Sequence, residues 1–148
     1  MTKKNFILIA FALALAGVYV FFFTNWFKPQ TIQIYHASRA MRGLRPGAAK
    51  SDILPITFGF QRELELTEVK VVPLAALQAN KDTLPIWHLV SDSNSVPIKF
   101  FFYGERIRGM KPEVSGSRPE PLQTNIVYRL FVTAGSIKGQ HDFQAVGK

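Results

Sequence analysis

Hydrophobic positions fall into two regimes along the chain. From Asn5 to Phe27 no side chain is charged, and Leu8, Ile9, Phe11, Leu13, Leu15, Val18, Val20 and Phe21 to Phe23 leave no polar stripe on any side. At 1.5 Å per residue such a run makes roughly 34 Å of helix, against a hydrocarbon core of about 30 Å. A helix that is apolar all round is surrounded by lipid and does not lie in the interface. Tyr19, Trp26 and Phe27 supply rings suited to a membrane boundary, and Pro29 supplies a stop. The pattern therefore predicts a short tail at 1–4, a transmembrane signal anchor at 5–28 and one domain at 29–148. Ala14-Leu15-Ala16 before Gly17 also fits a small-residue cleavage site. Cleavage after Ala16 would leave Val18 to Phe27 as a new apolar terminus, which favours the uncleaved anchor.

Beyond Pro29 the period drops to two. Ile32 and Ile34 alternate with Gln33 and Tyr35, and Ile56, Phe58 and Phe60 alternate with Thr57, Gly59 and Gln61. Leu64 and Leu66 alternate with Glu63 and Glu65, but Val69 and Val71 are out of phase with them, so a bulge or turn is required near Thr67-Glu68. Leu74 to Asp82 reads as a short helix or irregular crossing, and Leu84 to Val90 as a strand around Trp87. Ile98, Phe100 and Phe102 make a core face, with Lys99, Phe101 and Tyr103 on the reverse. Ile126, Tyr128, Leu130, Val132 and Ala134 form the clearest alternation, and Ile137 to Val146 a last strand. About seven strands with no helical period outside the anchor predict a mainly β chain: one transmembrane helix followed by one antiparallel β-sandwich.

A narrower signal lies within this pattern. Leu122-Gln-Thr-Asn-Ile-Val-Tyr128, followed by Leu130, Val132 and Ala134, places a leucine six residues before a strand tyrosine. This resembles the tyrosine corner of fibronectin type III domains, without the proline and threonine of that motif. The resemblance implies an immunoglobulin/fibronectin III-like sandwich with Tyr128 as a structural residue, and implies nothing catalytic.

Composition narrows the chemistry. There is no cysteine, which removes disulfides, thiolate metal sites and a thiol nucleophile together. Of 18 basic residues, Lys3 and Lys4 precede the apolar run, leaving 16 basic against 10 acidic, so the domain is basic in its own right. That balance favours anionic partners. Lys3, Lys4 and the amino terminus favour a cytoplasmic N-terminus, whereas Lys28, Arg39, Arg42 and Arg45 on the far side oppose it. Because short tails seldom cross and long domains often do, the domain is expected outside the cytoplasm.

No motif carries a reaction. His36, His88 and His141 lack ligand spacing, Ser91, Ser93 and Ser95 sit in a segment whose Asp and Asn content reads as turn chemistry, and no nucleophile elbow, phosphate loop or dinucleotide unit occurs. Neither a cofactor nor a metal is implied. Two features carry binding potential. Arg106, Arg108, Lys111 and Arg118 fall in the long Gly/Pro-punctuated segment from Gly104 to Pro121, a candidate loop for an anionic ligand or partner. Phe101, Tyr103 and Phe131, expected on outward faces beside Lys99 and Arg129, form a candidate partner surface unless the Leu74 to Leu77 segment covers them.

The expected function is a non-enzymatic binding or assembly module, held by the bilayer through residues 5–28 and meeting an envelope protein or an anionic polymer or lipid. Nucleic acid is a weaker candidate despite the interleaved aromatic and basic residues from Lys99 to Arg108. The rival is a membrane-attached enzyme or metal-binding protein using His88 or His141. Oligomeric state is left open. An inserted helix resists both salt and alkali, whereas peripheral basic binding is screened by salt. The protein should therefore stay in the membrane pellet after high-salt and alkaline washes, and release by salt alone would exclude the anchor.

Overall fold

The computed structural model describes residues 2–24, 30–38 and 54–147. Trp26, Phe27, Lys28 and Pro29 at the expected end of the anchor lie outside the described residues, as does the basic stretch from Arg39 to Ser51. The chain divides into two units, Met1–Gln30 and Thr31–Lys148.

The first unit is α1, Lys3–Phe23, a helix of 21 residues with no buried side chain. At 1.5 Å per residue it is about 32 Å long, and it is long and apolar enough to cross a membrane. Among the described residues the helix runs from Lys3 to Phe23, taking in Lys3 and Lys4 of the expected tail. Thr24 is extended (φ −94°, ψ 126°), with its N–H closing on the Val20 carbonyl at 3.2 Å.

The second unit contains β1 (Ile34–Ser38), β2 (Ile56–Leu64), β3 (Glu68–Pro73), α2 (Leu74–Ala79), β4 (Trp87–Val90), β5 (Ile98–Phe102), β6 (Lys111–Pro112), β7 (Val127–Ala134) and β8 (Ile137–Gln144). These strands form two antiparallel sheets, a three-stranded one in the order β1-β2-β5 and a five-stranded one in the order β6-β4-β3-β7-β8. One core joins them. Phe58, Phe60 and Phe101 of the first sheet cluster with Val69, Val71, Trp87, Leu89, Leu130, Val132 and Phe143 of the second. Ring contacts cross the interface: Phe58 meets Phe143 edge-on at 4.8 Å, and Trp87 meets Phe101 at 6.0 Å. Each such buried side chain is worth about 1.5–3 kcal/mol against exposure.

The phase change expected at Thr67-Glu68 is where the chain leaves one sheet for the other. Leu64 and Leu66 are buried, a bend falls at Thr67, and Val69 and Val71 are buried beyond it. Crossing between sheets removes Leu66 from both ladders, and an unpaired buried backbone group would cost about 1–3 kcal/mol. Ser95 supplies the missing partners. Its hydroxyl accepts from the Leu66 N–H at 2.8 Å, and its own N–H donates to the Leu66 carbonyl at 2.9 Å. Thr67 is fixed beside it, donating from its N–H to the Thr133 carbonyl at 2.8 Å and accepting from the Ser91 N–H at 2.9 Å.

The alternation read for β5 is inverted. Phe101 pairs with Phe58 and is 1% exposed, whereas Phe100 pairs with Gly59 and is 61% exposed. The pairing of β2 with β5 slips between Gly59 and Leu64, so Ile98 and Phe101 both face the core with Lys99 and Phe100 outside them. An irregularity of this kind shifts period-2 burial by one residue. Phe101 is therefore a core residue and not part of an outward surface.

In the second sheet the strand expected from Leu84 begins at Trp87, the strand expected to reach Val146 ends at Gln144, and Lys111–Pro112, read as loop, form a short strand. Tyr128, Leu130 and Val132 are buried along β7, and Leu74–Ala79 is a short helix. Val72 lies on the outer side of β3 yet is 1% exposed, in the region where α2 packs on β3 and β7. The Tyr128 hydroxyl accepts from the Gln123 N–H at 2.9 Å, with Leu122 buried above it. The lead-in to β1 is tied to β8: the Ile32 N–H donates to the Lys138 carbonyl at 3.2 Å, and Gly139 lies so close beneath Ile32 that a Cβ there would meet its carbonyl oxygen at 2.8 Å.

Tyr128→Phe keeps the ring and removes the hydroxyl, leaving the Gln123 N–H without its partner, so it should cost about 1 kcal/mol. Tyr128→Ala should cost about 3 kcal/mol or more. Denaturant titration of the solubilised protein measures both, and two curves superposable on wild type would show that the corner contributes nothing.

Candidate functional site

The segment from Gly104 to Pro121 is pinned to the second sheet at several points. Ile107 is buried in the core, Lys111–Pro112 pair with Val90 and Leu89, and the Glu120 N–H donates to the Ile86 carbonyl at 3.0 Å. Gly104, Gly109 and Gly116 adopt positive φ of 77°, 88° and 80°, turns that side chains with a Cβ rarely make. Tyr103 braces the far end. Its hydroxyl donates to the Glu120 carbonyl at 2.6 Å and its ring stands edge-on to Trp87 at 5.2 Å. Burial raises the Tyr103 phenol well above the usual tyrosine value, with Tyr128 and Glu120 adding to the effect, so it remains a donor.

Between this segment and β4 runs a groove of about 480 Å³, a size typical of small-ligand or short-peptide sites. Leu84 and Val114 line it and are 84% and 67% exposed, with Met110, Pro112 and the edge of Trp87. Its charged rim is mixed. Arg106 and Arg118 lie there with Glu105, Glu113 and Glu120.

The four basic residues expected to act together are thus divided. Arg106 and Arg118 line the groove, Arg108 is exposed and is not among its lining residues, and Lys111 is held by Asp92 at 2.6 Å. Two arginines against three glutamates do not make a positive concavity. The lining suits a segment carrying both charge signs beside apolar side chains better than a simple anion.

The aromatic trio is divided as well. Phe101 is in the core, Tyr103 is half-buried behind the groove, and Phe131 is half-buried on the outer side of β7 with the Lys70 ammonium 5.3 Å from its ring centre. Sequence patterning overlooked the exposed Phe100 because of the β5 slip. It also read Leu84 as the first residue of a strand that in fact begins at Trp87, and gave no weight to Val114, an isolated apolar residue among turn residues, although isolation of that kind is the signal that could have marked it.

The histidines are less separate than their spacing suggested. His36 on β1 and His141 on β8 meet where the outermost strands of the two sheets come together, Nδ1 to Nε2 at 2.6 Å. His88 bonds instead to Glu68 at 2.7 Å. Asp142, adjacent to His141 but on the opposite face of β8, is engaged by Arg129 through two bonds of 2.6 and 2.9 Å. That pairing holds the Asp142 carboxyl below the usual carboxylate range. Among the described residues no group of three or more His, Asp and Glu side chains is placed to hold a metal ion.

Comparison with protein-family models, with curated proteins and with solved structures finds no match to this chain.

Partial burial lowers the His141 pKa from its ordinary 6.5, the nearby His36 adds to this, and Asp142 offsets it in part. A depressed histidine means that the unfolded chain takes up its proton first as pH falls. The contribution is therefore complete above about pH 6.5 and is lost as pH drops through the folded value. The melting temperature should accordingly fall between pH 7 and pH 5, and His141→Asn should flatten that slope. An unchanged slope in the variant would show that the pair does not couple to folding.

Proposed function

We propose that this chain is a single-pass membrane protein whose β domain is a non-enzymatic binding or assembly module outside the cytoplasm. In this reading α1 is a signal anchor with a cytoplasmic N-terminus, and the domain is an immunoglobulin/fibronectin III-like sandwich. Support for the anchor is the length and uniform apolarity of α1. Support for the sandwich is the single core between two antiparallel sheets and the Tyr128 hydroxyl bonded back to the Gln123 N–H.

One observation carries the binding role: a groove framed by pinned backbone that leaves Leu84 and Val114 in water beside Arg106 and Arg118. Apolar side chains held open on a rigid frame are a binding surface in waiting, because little ordering entropy remains to be lost when they are covered. The partner that fits is an extended segment of an envelope protein with apolar residues flanked by both charge signs. Tethering to the same membrane raises the local concentration of such a partner without any new contact.

The test is site-specific photocrosslinking in native membranes, with the crosslinker placed at Leu84, Val114 or, as a control, exposed Gln144. Adducts with the same partner should form at the first two positions and not at the third. Combined Arg106→Gln and Arg118→Gln should weaken them several-fold at an unchanged melting temperature, since exposed loop charges contribute little to stability. Adducts equally strong at Gln144, or none in the groove, would overturn the assignment.

A further inference from the structure

The outer face of the three-stranded sheet carries aromatic rings in register. Tyr35, Gly59 and Phe100 form one row across β1, β2 and β5, and Ala37, Thr57 and Phe102 form the next. Gly59 makes the first row possible. Its missing side chain leaves a lane in which the Tyr35 ring lies flat across the sheet, where any Cβ would collide with it, and the Tyr35 hydroxyl donates to the Phe60 carbonyl at 3.4 Å. Tyr35 is nonetheless 54% exposed and Phe100 61%. Phe100 and Phe102 stand edge to face at 6.3 Å, so the rings form one patch and are not scattered residues.

We propose that this face rests on the lipid surface, with Tyr35, Phe100 and Phe102 at headgroup depth. The inference rests on the anchoring proposed above. Three observations select lipid over a second copy or a protein partner. The stretch from Thr24 to Gln33 joins α1 to β1, and ten residues reach at most about 35 Å. That is close to one diameter of a domain of this size, so the bilayer is always within the domain's range. The chemistry is interfacial: a tyrosine and two phenylalanines with the exposed Lys99 beside them, the combination that settles where apolar depth meets headgroup charge. No carboxylate occupies either row, and the nearest acidic side chain in sequence, Glu105, is engaged by the Phe102 N–H at 2.9 Å. Within these two rows an anionic headgroup therefore meets no like charge, and the exposed Glu63 lies beyond them, further along β2. A partner matched by salt bridges would find none to form within the rows.

The absence of cysteine makes the test direct. The full chain is reconstituted in mixed phosphatidylcholine and phosphatidylglycerol vesicles with a single nitroxide at Gln61→Cys, the next outward position on β2, or at Val114→Cys in the groove. Collision with a water-soluble nickel chelate is read against collision with oxygen. Nickel access should be several-fold lower at position 61 than at 114, and Tyr35→Ser with Phe100→Ser should restore it. Equal access at both positions in protein that floats with the vesicles would overturn the docking while leaving the anchor intact. Failure to float would overturn both. Spin–spin broadening at position 61 that disappears on dilution with unlabelled protein would assign the face to a second copy and overturn the lipid assignment. Should the serine variant fail to fold, the contrast between positions 61 and 114 in the otherwise native chain still decides.

Discussion

The fold depends on one crossing. At Leu66 the chain leaves the three-stranded sheet and enters the five-stranded one, and the backbone there belongs to neither ladder. Ser95 stands in for the missing strand, bonding both the N–H and the carbonyl of Leu66. With the crossing satisfied, β2 and β3 can face each other across the core, and Phe58 and Phe60 are presented to Val69 and Val71 from the opposite sheet. The same interaction fixes the Ser91 to Pro97 turn between β4 and β5, so the two strands that flank the turn enter different sheets at a set distance. Trp87 can then reach Phe101.

How much of this was legible depended on whether the alternation was regular. For β7, paired on both sides, burial at Tyr128, Leu130 and Val132 follows the period from end to end, and the break between Leu66 and Val69 was visible as a phase error. β5 was not legible. It is paired on one side only among the described strands, and its slip against β2 exchanges the roles of Phe100 and Phe101. In a run of three phenylalanines composition offers no way to tell inner from outer, because both phases are equally hydrophobic. Tyr128 was read from a short local motif, and local motifs survive where the register is uncertain.

The candidate site was legible in parts. The Gly/Pro-punctuated segment that frames the groove could be located from composition, but which of its cations face inward could not, since that depends on Ile107 entering the core and on Asp92 capturing Lys111. Three glutamates on the rim change its electrostatic character from basic to mixed. The contact between His36 and His141, separated by 105 positions, follows only from the adjacency of β1 and β8, the outermost strands of their sheets. Pairwise geometry of that range is a property of topology and has no signature in spacing.

The tie between Ile32 and Lys138 has a consequence for how the molecule is made. During synthesis the N-terminal end of the domain emerges first and β8 among the last of it. The β7–β8 hairpin, closed by a two-residue turn at Gly135 and Ser136, can form as soon as its own residues are free. The Thr31 to Ile32 segment, by contrast, has no β8 to pair with until Ile137 to Gln144 have been made. The apolar inner face of β1 and β2 therefore waits through synthesis of the intervening strands without its final cover, and a product truncated before β8 would be left with that seam open.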